Sequence, residues 1–234
     1  MKIFALKAQL QVALFVVWLS GSAVLAQAPA TGAPTSINTA FVKLFAPVGA
    51  FTAKVEAQVF DESGRETVRM PLDFALLDGK VRIEINVAQI QAKSVPPSAV
   101  AKLKQAGMDR VISVFRPDKK ANYYIYPAIQ SYVTKPFGQT EAEAAERSLD
   151  LAKSAVGKET IEGHPCVKNK AIVTSDQWPV LHATTWNATD LKDFPLQIEI
   201  KENRSTARMR FTQVRFVKPA AAEFDPPANY SLMK

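Results

Sequence analysis

From Phe51 onward the apolar residues fall on every second position, and this spacing constrains the fold more than any other feature of the chain. Phe51, Ala53, Val55, Ala57 and Val59 alternate with Thr52, Lys54, Glu56 and Gln58. Asp61-Glu62-Ser63-Gly64 is turn chemistry, and Val68, Met70, Leu72, Phe74 and Leu76 then form a second apolar face. Asp78-Gly79 is a hairpin signal, followed by Val81, Ile83, Ile85 and Val87. Successive side chains on a strand point to opposite faces. The spacing therefore predicts three half-buried antiparallel strands joined by tight turns.

The same reading places strands at 110–116 and 121–126 around Pro117-Asp118-Lys119-Lys120, and a short one at 129–133. The last third gives strands near 156–162, 165–174, 180–187, 194–201 and 205–217. In the last of these, Ala207, Met209 and Phe211 share one parity and Val214 and Phe216 the other, which predicts a bulge or strong bend. Residues 94–107 predict a short helix with Val100 and Leu103 on one side and Gly107 at its end. Residues 139–153 are rich in helix formers, with Thr140 and Glu143 as a capping box. Their apolar face is thin (Ala144, Leu149, Leu151), so they read as a surface helix or mobile segment. Phe224 and Tyr230 read as anchors of an extended tail. The fold class is α+β and mainly antiparallel β, with about nine to eleven strands and a few short helices. One large sheet that curls beneath helices on its concave face fits this pattern, and two packed sheets fit it too.

The N-terminal part reads differently. Lys2 and Lys7 precede the apolar run VALFVVWL at 12–19, and Val24-Leu25-Ala26 gives a small-residue cleavage pattern. Residues 1–26 are expected to be a cleavable signal peptide, because the run is too short for a spanning helix, which needs about 20 apolar residues. No cysteine lies near the cleavage point, so the expected product is periplasmic or secreted and not an acylated lipoprotein. Residues 27–38 (QAPATGAPTSIN) carry no charge and read as a flexible leader. Residues 39–234 then form a single domain.

The formal net charge is +7. No basic cluster dominates, so the charge reads chiefly as a solubilising surface. An exported chain is not expected to meet nucleic acid, whereas an anionic membrane surface or an envelope protein could be a partner. Cys166 is the only cysteine, so no internal disulfide can form and the core alone must hold the fold. A buried, inert thiol is the expected state.

The chemistry-bearing residues exclude more than they nominate. There is no Gly-rich phosphate loop, HExxH, paired CxxC or Gly-x-Ser-x-Gly elbow. His164, Cys166 and His182 are the soft-ligand candidates. A hairpin around Asp176-Gln177-Trp178-Pro179 would pair His182 near residue 172, about 20 Å from Cys166 at about 3.3 Å per residue. That separation rules out a shared metal site and a Cys-His nucleophile pair. Glu84, Asp109, Asp150, Asp190 and Glu199 form no acid/base pair and read as a solvated face. No enzyme, cofactor or metal is expected. Of the tyrosines, Tyr124 and Tyr126 share a face, with Tyr132 across a short turn. They either line an amphipathic pocket or brace the sheet. Should the sheet curl, Met70, Leu72, Phe74, Ile83, Ile85, Tyr124, Tyr126, Met209 and Phe211 are the candidate lining of an apolar cavity. Such a cavity would bind a lipid or acyl chain, and the other reading of the same residues is a plain packed core.

The segment Gly157-Lys158-Glu159-Thr160-Ile161-Glu162-Gly163-His164-Pro165-Cys166-Val167-Lys168 resembles a G-K-E-x-[IV]-x-G-x-P-C-x-K stretch of a bacterial exported family of unknown function. Tyr124-Ile125-Tyr126-Pro127, the run Trp186-Asn187-Ala188-Thr189-Asp190-Leu191-Lys192, Phe194-Pro195 and Phe224-Asp225-Pro226-Pro227 with Tyr230 are similar as well. The resemblance covers most of 40–232. That family is similar in shape to the periplasmic lipoprotein carriers and outer-membrane lipoprotein-sorting proteins. It therefore implies an unclosed β half-barrel whose helices cover an apolar cavity, and it transfers no functional residue. The expected function is non-enzymatic binding of a lipid or lipoprotein acyl chain in the concave face, with 94–107 and 139–153 gating entry. The alternative is an envelope interaction or structural protein with a solid core.

Overall fold

A computed structural model describes residues 35–175, 178–202 and 204–233. The expected signal peptide, and the expected leader up to residue 34, lie outside the described residues. In chain order the elements are α1 (Thr35–Lys43), β1 (Ala50–Asp61), β2 (Glu66–Leu77), β3 (Lys80–Asn86), β4 (Gln91–Ala92), α2 (Pro97–Gln105), β5 (Arg110–Arg116), β6 (Ala121–Tyr126), β7 (Ser131–Pro136), α3 (Gln139–Glu146), β8 (Leu149–Ile161), β9 (His164–Ser175), β10 (Trp178–Ala188), β11 (Phe194–Glu202), β12 (Ser205–Arg215) and β13 (Ser231–Leu232).

Among the described residues all strands belong to one sheet, ordered β13-β7-β6-β5-β3-β2-β1-β12-β11-β10-β9-β8, with β4 paired to β2 off this path. Two antiparallel meanders meet where β1 pairs β12. Strands β7 and β8 lie near opposite ends of the order yet are consecutive in the chain. Ten inter-strand gaps at about 4.8 Å would hold them about 48 Å apart in a flat sheet. The α3 connection between them reaches only about 30 Å. The sheet must therefore curl, and α3 spans the slot left between its ends. The fold is an unclosed antiparallel β half-barrel.

Local chemistry sets the turns. Asp78 and Gly79 have φ of 48° and 83°, and Glu162 and Gly163 have 49° and 83°. Two successive positive φ values make the tight turn whose twist matches its flanking strands. The parity switch in β12 is a bulge. Thr52 pairs Arg215 while Lys54 pairs Thr212, and Gln213 sits at φ 49°.

Four expectations need correction. Residues 149–153 are the start of β8 and not helix, because Leu149 and Leu151 pair with Ser175 and Val173. The helix cap is Gly138, whose N–H donates to Glu141 Oε2 at 2.9 Å, two residues before the expected Thr140. Strand β7 begins at Ser131, because 127–129 form a short 3-10 turn that starts at Pro127. Helix α1 begins at Thr35, within the stretch read as leader.

The half-buried pattern of the first strands does not extend to the middle of the sheet. Strands β5 and β6 are buried on both sides. The C-terminal segment crosses the back of the sheet and lays Phe224, fully buried, against Ala75, Leu77, Ile112, Val114 and Ile125. Arg116, itself buried, fastens it by donating to the Phe224 carbonyl at 3.0 Å and pairing with Asp225 and Asp118. Strand β13 then pairs in parallel with β7. Elsewhere the convex face carries cross-strand charge pairs such as Arg208–Glu199 at 2.7 Å and Lys54–Asp73 at 2.5 Å.

Candidate functional site: the concave face

Register places all nine nominated residues on one face. Ala57 pairs both Met70 and Met209, Val55 pairs Leu72 and Phe211, and Ala53 pairs Phe74. Leu72 and Phe74 pair Ile85 and Ile83, Ile83 pairs Ser113, and Ser113 pairs Tyr124, with Tyr126 two residues on. Opposed residues in an antiparallel pair point the same way, so the set is continuous. The tyrosines divide: Tyr124 and Tyr126 face inward, while Tyr123 and Tyr132 meet edge-to-face on the back, 6.5 Å between ring centres. Burial pushes the Tyr126 phenol up, which keeps it a protonated hydroxyl.

The centre of this face is filled, and the filling comes from a segment the sequence reading left out of the domain's core. Ala40 of α1 and Leu44, Phe45 and Val48 beyond it are buried in the main core. The Phe45 ring lies 5.0–5.9 Å from those of Phe51, Phe74, Phe194 and Phe211. Around this plug the face is less complete. Ile83 alone of the nine is only half-buried, and Phe41, Ile90 and Phe137 are likewise half-buried against the same core. Phe41 lies 6.0 Å from Phe74, and Phe137 stacks on Phe115 at 5.6 Å. Helix α2, the expected gate at 94–107, contributes no buried residue.

Toward β8–β10 the interior becomes polar. Asn187, fully buried, accepts from Asn169 at 3.1 Å and Thr185 at 2.7 Å and donates to the Asp193 carbonyl at 2.7 Å. Lys153 pairs with the Asp193 carboxylate at 2.7 Å.

The thiol and imidazole candidates do not converge. His182 pairs Ile172 and Cys166 pairs Ala188, so six residues of β10 separate them. The Cys166 thiol donates to the His164 carbonyl at 3.4 Å, and the His164 ring meets Asp190 at 2.8 Å. Cys166 lines an open depression of about 490 Å³ with Lys158, Glu159, Thr160, Pro165, Val167 and Thr189. Burial pushes the thiol pKa up. Cys166 is therefore expected to resist iodoacetamide in the folded protein and to react fully once unfolded, as read by mass spectrometry. The surrounding motif is an architectural hairpin tip. Glu159 binds Lys168 and the Trp186 indole N–H, both at 2.8 Å, and the Lys168 amine sits 4.8 Å above the Trp186 ring. Among the described residues no group of three or more His, Cys, Asp or Glu is placed to hold a metal.

No family model matches the chain, and no curated protein matches it. Among solved structures it is similar to the Mycobacterium tuberculosis lipoprotein LppX, at 9% identity over 76% of this chain and 92% of that one, TM-score 0.39. It is similar to LprF from Mycobacterium bovis, at 12% identity over 84% of this chain and 95% of that one, TM-score 0.39. It is also similar to a LolA superfamily protein from Nitrosomonas europaea, at 9% identity over 82% of this chain and 96% of that one, TM-score 0.34. The half-barrel itself is defined by strand order and register, independently of these likenesses.

Proposed function

We propose that the protein is a non-enzymatic binder of one apolar or amphipathic chain, such as a lipid or lipoprotein acyl group, which lies on the concave face. The observation that supports this reading is the incomplete cover of a continuous apolar surface. Ile83, Ile90, Phe41 and Phe137 stay half-buried against the sealed core, as do Val42, Leu151, Leu191, Val214 and Phe216 around its margin. An alkyl chain laid along them would gain about 0.8 kcal/mol per buried methylene. Ten methylenes would contribute about 8 kcal/mol, in the micromolar range before ordering costs. Deeper entry requires the 44–48 plug to move.

The Phe45 cluster favours a second reading, an envelope interaction protein with a solid core. Native mass spectrometry of the purified protein, with lipid extraction, separates the two. A binder is expected to carry extractable lipid or to take up a hydrophobic dye. Ile83→Arg should weaken dye uptake about tenfold by placing a charge in the path. No lipid and no dye uptake in the folded protein would leave the solid-core reading.

A further inference from the structure

The connection between β3 and β5 and the turn between β6 and β7 lie at the same end of the sheet, because Asn86 pairs Arg110 and Tyr126 pairs Ser131. Gly107, just past α2, abuts that turn so closely that a Cβ on it would stand 2.8 Å from Ile129 Cγ2. Strand β13 joins the turn as well, with the Ser231 N–H donating to the Gln130 carbonyl at 2.9 Å. The chain that builds this corner has an uneven charge pattern. Residues 121–134 and 226–233 carry no charge, and residues 85–108 carry three lysines, Lys93, Lys102 and Lys104, and no acid. All three lysines are exposed, and none has an ion-pair partner among the described residues. Helix α2, which carries two of them, buries no side chain. Asp109 closes the run. On the adjoining strands Glu66 is held by Arg69, and Glu84 by Arg82 and Arg110. Two exposed large apolar side chains, Ile129 at 38% and Leu232 at 56%, belong to the same corner.

We infer that this corner is a docking surface for an anionic bilayer, with the three lysines over the lipid headgroups and Ile129 and Leu232 entering the interface. Charge complementarity selects the partner, since unpaired ammonium groups on an otherwise uncharged surface have no internal competitor for an anion. The exposed apolar side chains beside them fit the boundary between headgroups and acyl chains, where a charged protein surface would leave them unmatched. Among the described residues no helix is long and apolar enough to cross a membrane, so the contact made by this corner is peripheral. Each lysine held near an anionic leaflet strengthens partitioning about fivefold. The inference is independent of any ligand on the concave face.

Vesicle flotation of the purified protein tests this. The protein is expected to float with phosphatidylcholine vesicles that contain about 30% phosphatidylglycerol and to stay behind with phosphatidylcholine alone, and about 0.5 M NaCl should release it. The triple variant Lys93→Gln, Lys102→Gln, Lys104→Gln should weaken partitioning about 100-fold. The double variant Ile129→Ser, Leu232→Ser should weaken it about tenfold. The control Lys158→Gln, Lys170→Gln, Lys201→Gln removes the same charge from exposed positions elsewhere and should cost less than about threefold. Equal losses in the two triple variants would mean that net charge and not this corner holds the vesicle, which overturns the inference. An Ile129, Leu232 variant that floats like wild type, or no flotation with anionic vesicles, overturns it too. Capture by a glutamate-rich peptide without vesicle binding does the same and assigns the patch to an acidic protein. None of these outcomes bears on dye uptake by the concave face.

Discussion

Truncating Phe45 to alanine is expected to lower the unfolding free energy by about 3–5 kcal/mol. The ring is fully buried and touches five other phenylalanines, including Phe41 at 5.2 Å. Its removal leaves a cavity walled by Phe51, Phe74, Phe194 and Phe211, which belong to four different strands and cannot collapse together. For a domain of this size the loss corresponds to a fall of about 10 °C in Tm. The same change should raise hydrophobic-dye uptake, because Phe45 comes from the 44–48 plug and not from the sheet. Urea unfolding and dye titration on one variant read both effects. A stability change below about 1 kcal/mol, within the range of a surface substitution, would mean that the plug is not inserted.

The second large effect is on the opposite face. Phe224→Ala should cost about 3–4 kcal/mol, because its ring seals the backs of β2, β5 and β6. The fastening around it should also be acid-sensitive. The hydrogen bond from Arg116 holds the Asp118 carboxyl below the usual range. Burial pushes Asp225 up, but hydrogen bonds from Lys119 and Arg116 outweigh it and the net direction is down. A carboxylate depressed in the folded state binds fewer protons there than when unfolded. Its stabilisation is present above the unfolded pKa of about 3.9 and is lost as pH falls below it. Wild-type stability should therefore drop as pH falls from about 4 through the lower folded-state values, and Arg116→Met should flatten that drop. Equal slopes in urea unfolding across that range would show that Arg116 does not fasten the tail.

These two regions also mark where the sequence was legible and where it was not. Strands β1 and β3, and β2 as far as Phe74, were readable residue by residue, because there one face is the more exposed and the apolar residues keep a period of two. The bulge at Gln213 was readable because a parity switch has one mechanical meaning. The hairpin pairing of His182 with Ile172 followed from turn position alone. The plug was not readable. Ala40, Leu44, Phe45 and Val48 are spaced for one short helical face that runs into a turn, and the Ala-, Pro- and Thr-rich stretch before them has the composition of a tether. The anchors of the tail, Phe224 and Tyr230, were readable and both pack on the sheet, but the face they cover was not assigned although it left a signal. Val111-Ile112-Ser113-Val114-Phe115 and Tyr123-Tyr124-Ile125-Tyr126 are apolar on both parities, which marks strands buried on both faces. The nine candidate residues were placed on one face by alternation, but whether that face is hollow depends on the plug.

Photo-crosslinking with a diazirine-bearing long-chain acyl probe, followed by peptide mapping, tests the central claim most directly. The account expects labels at Ile83 and its half-buried neighbours Phe41, Ile90 and Phe137. Labels confined to the convex strands, or no specific labelling of the folded protein, would contradict it.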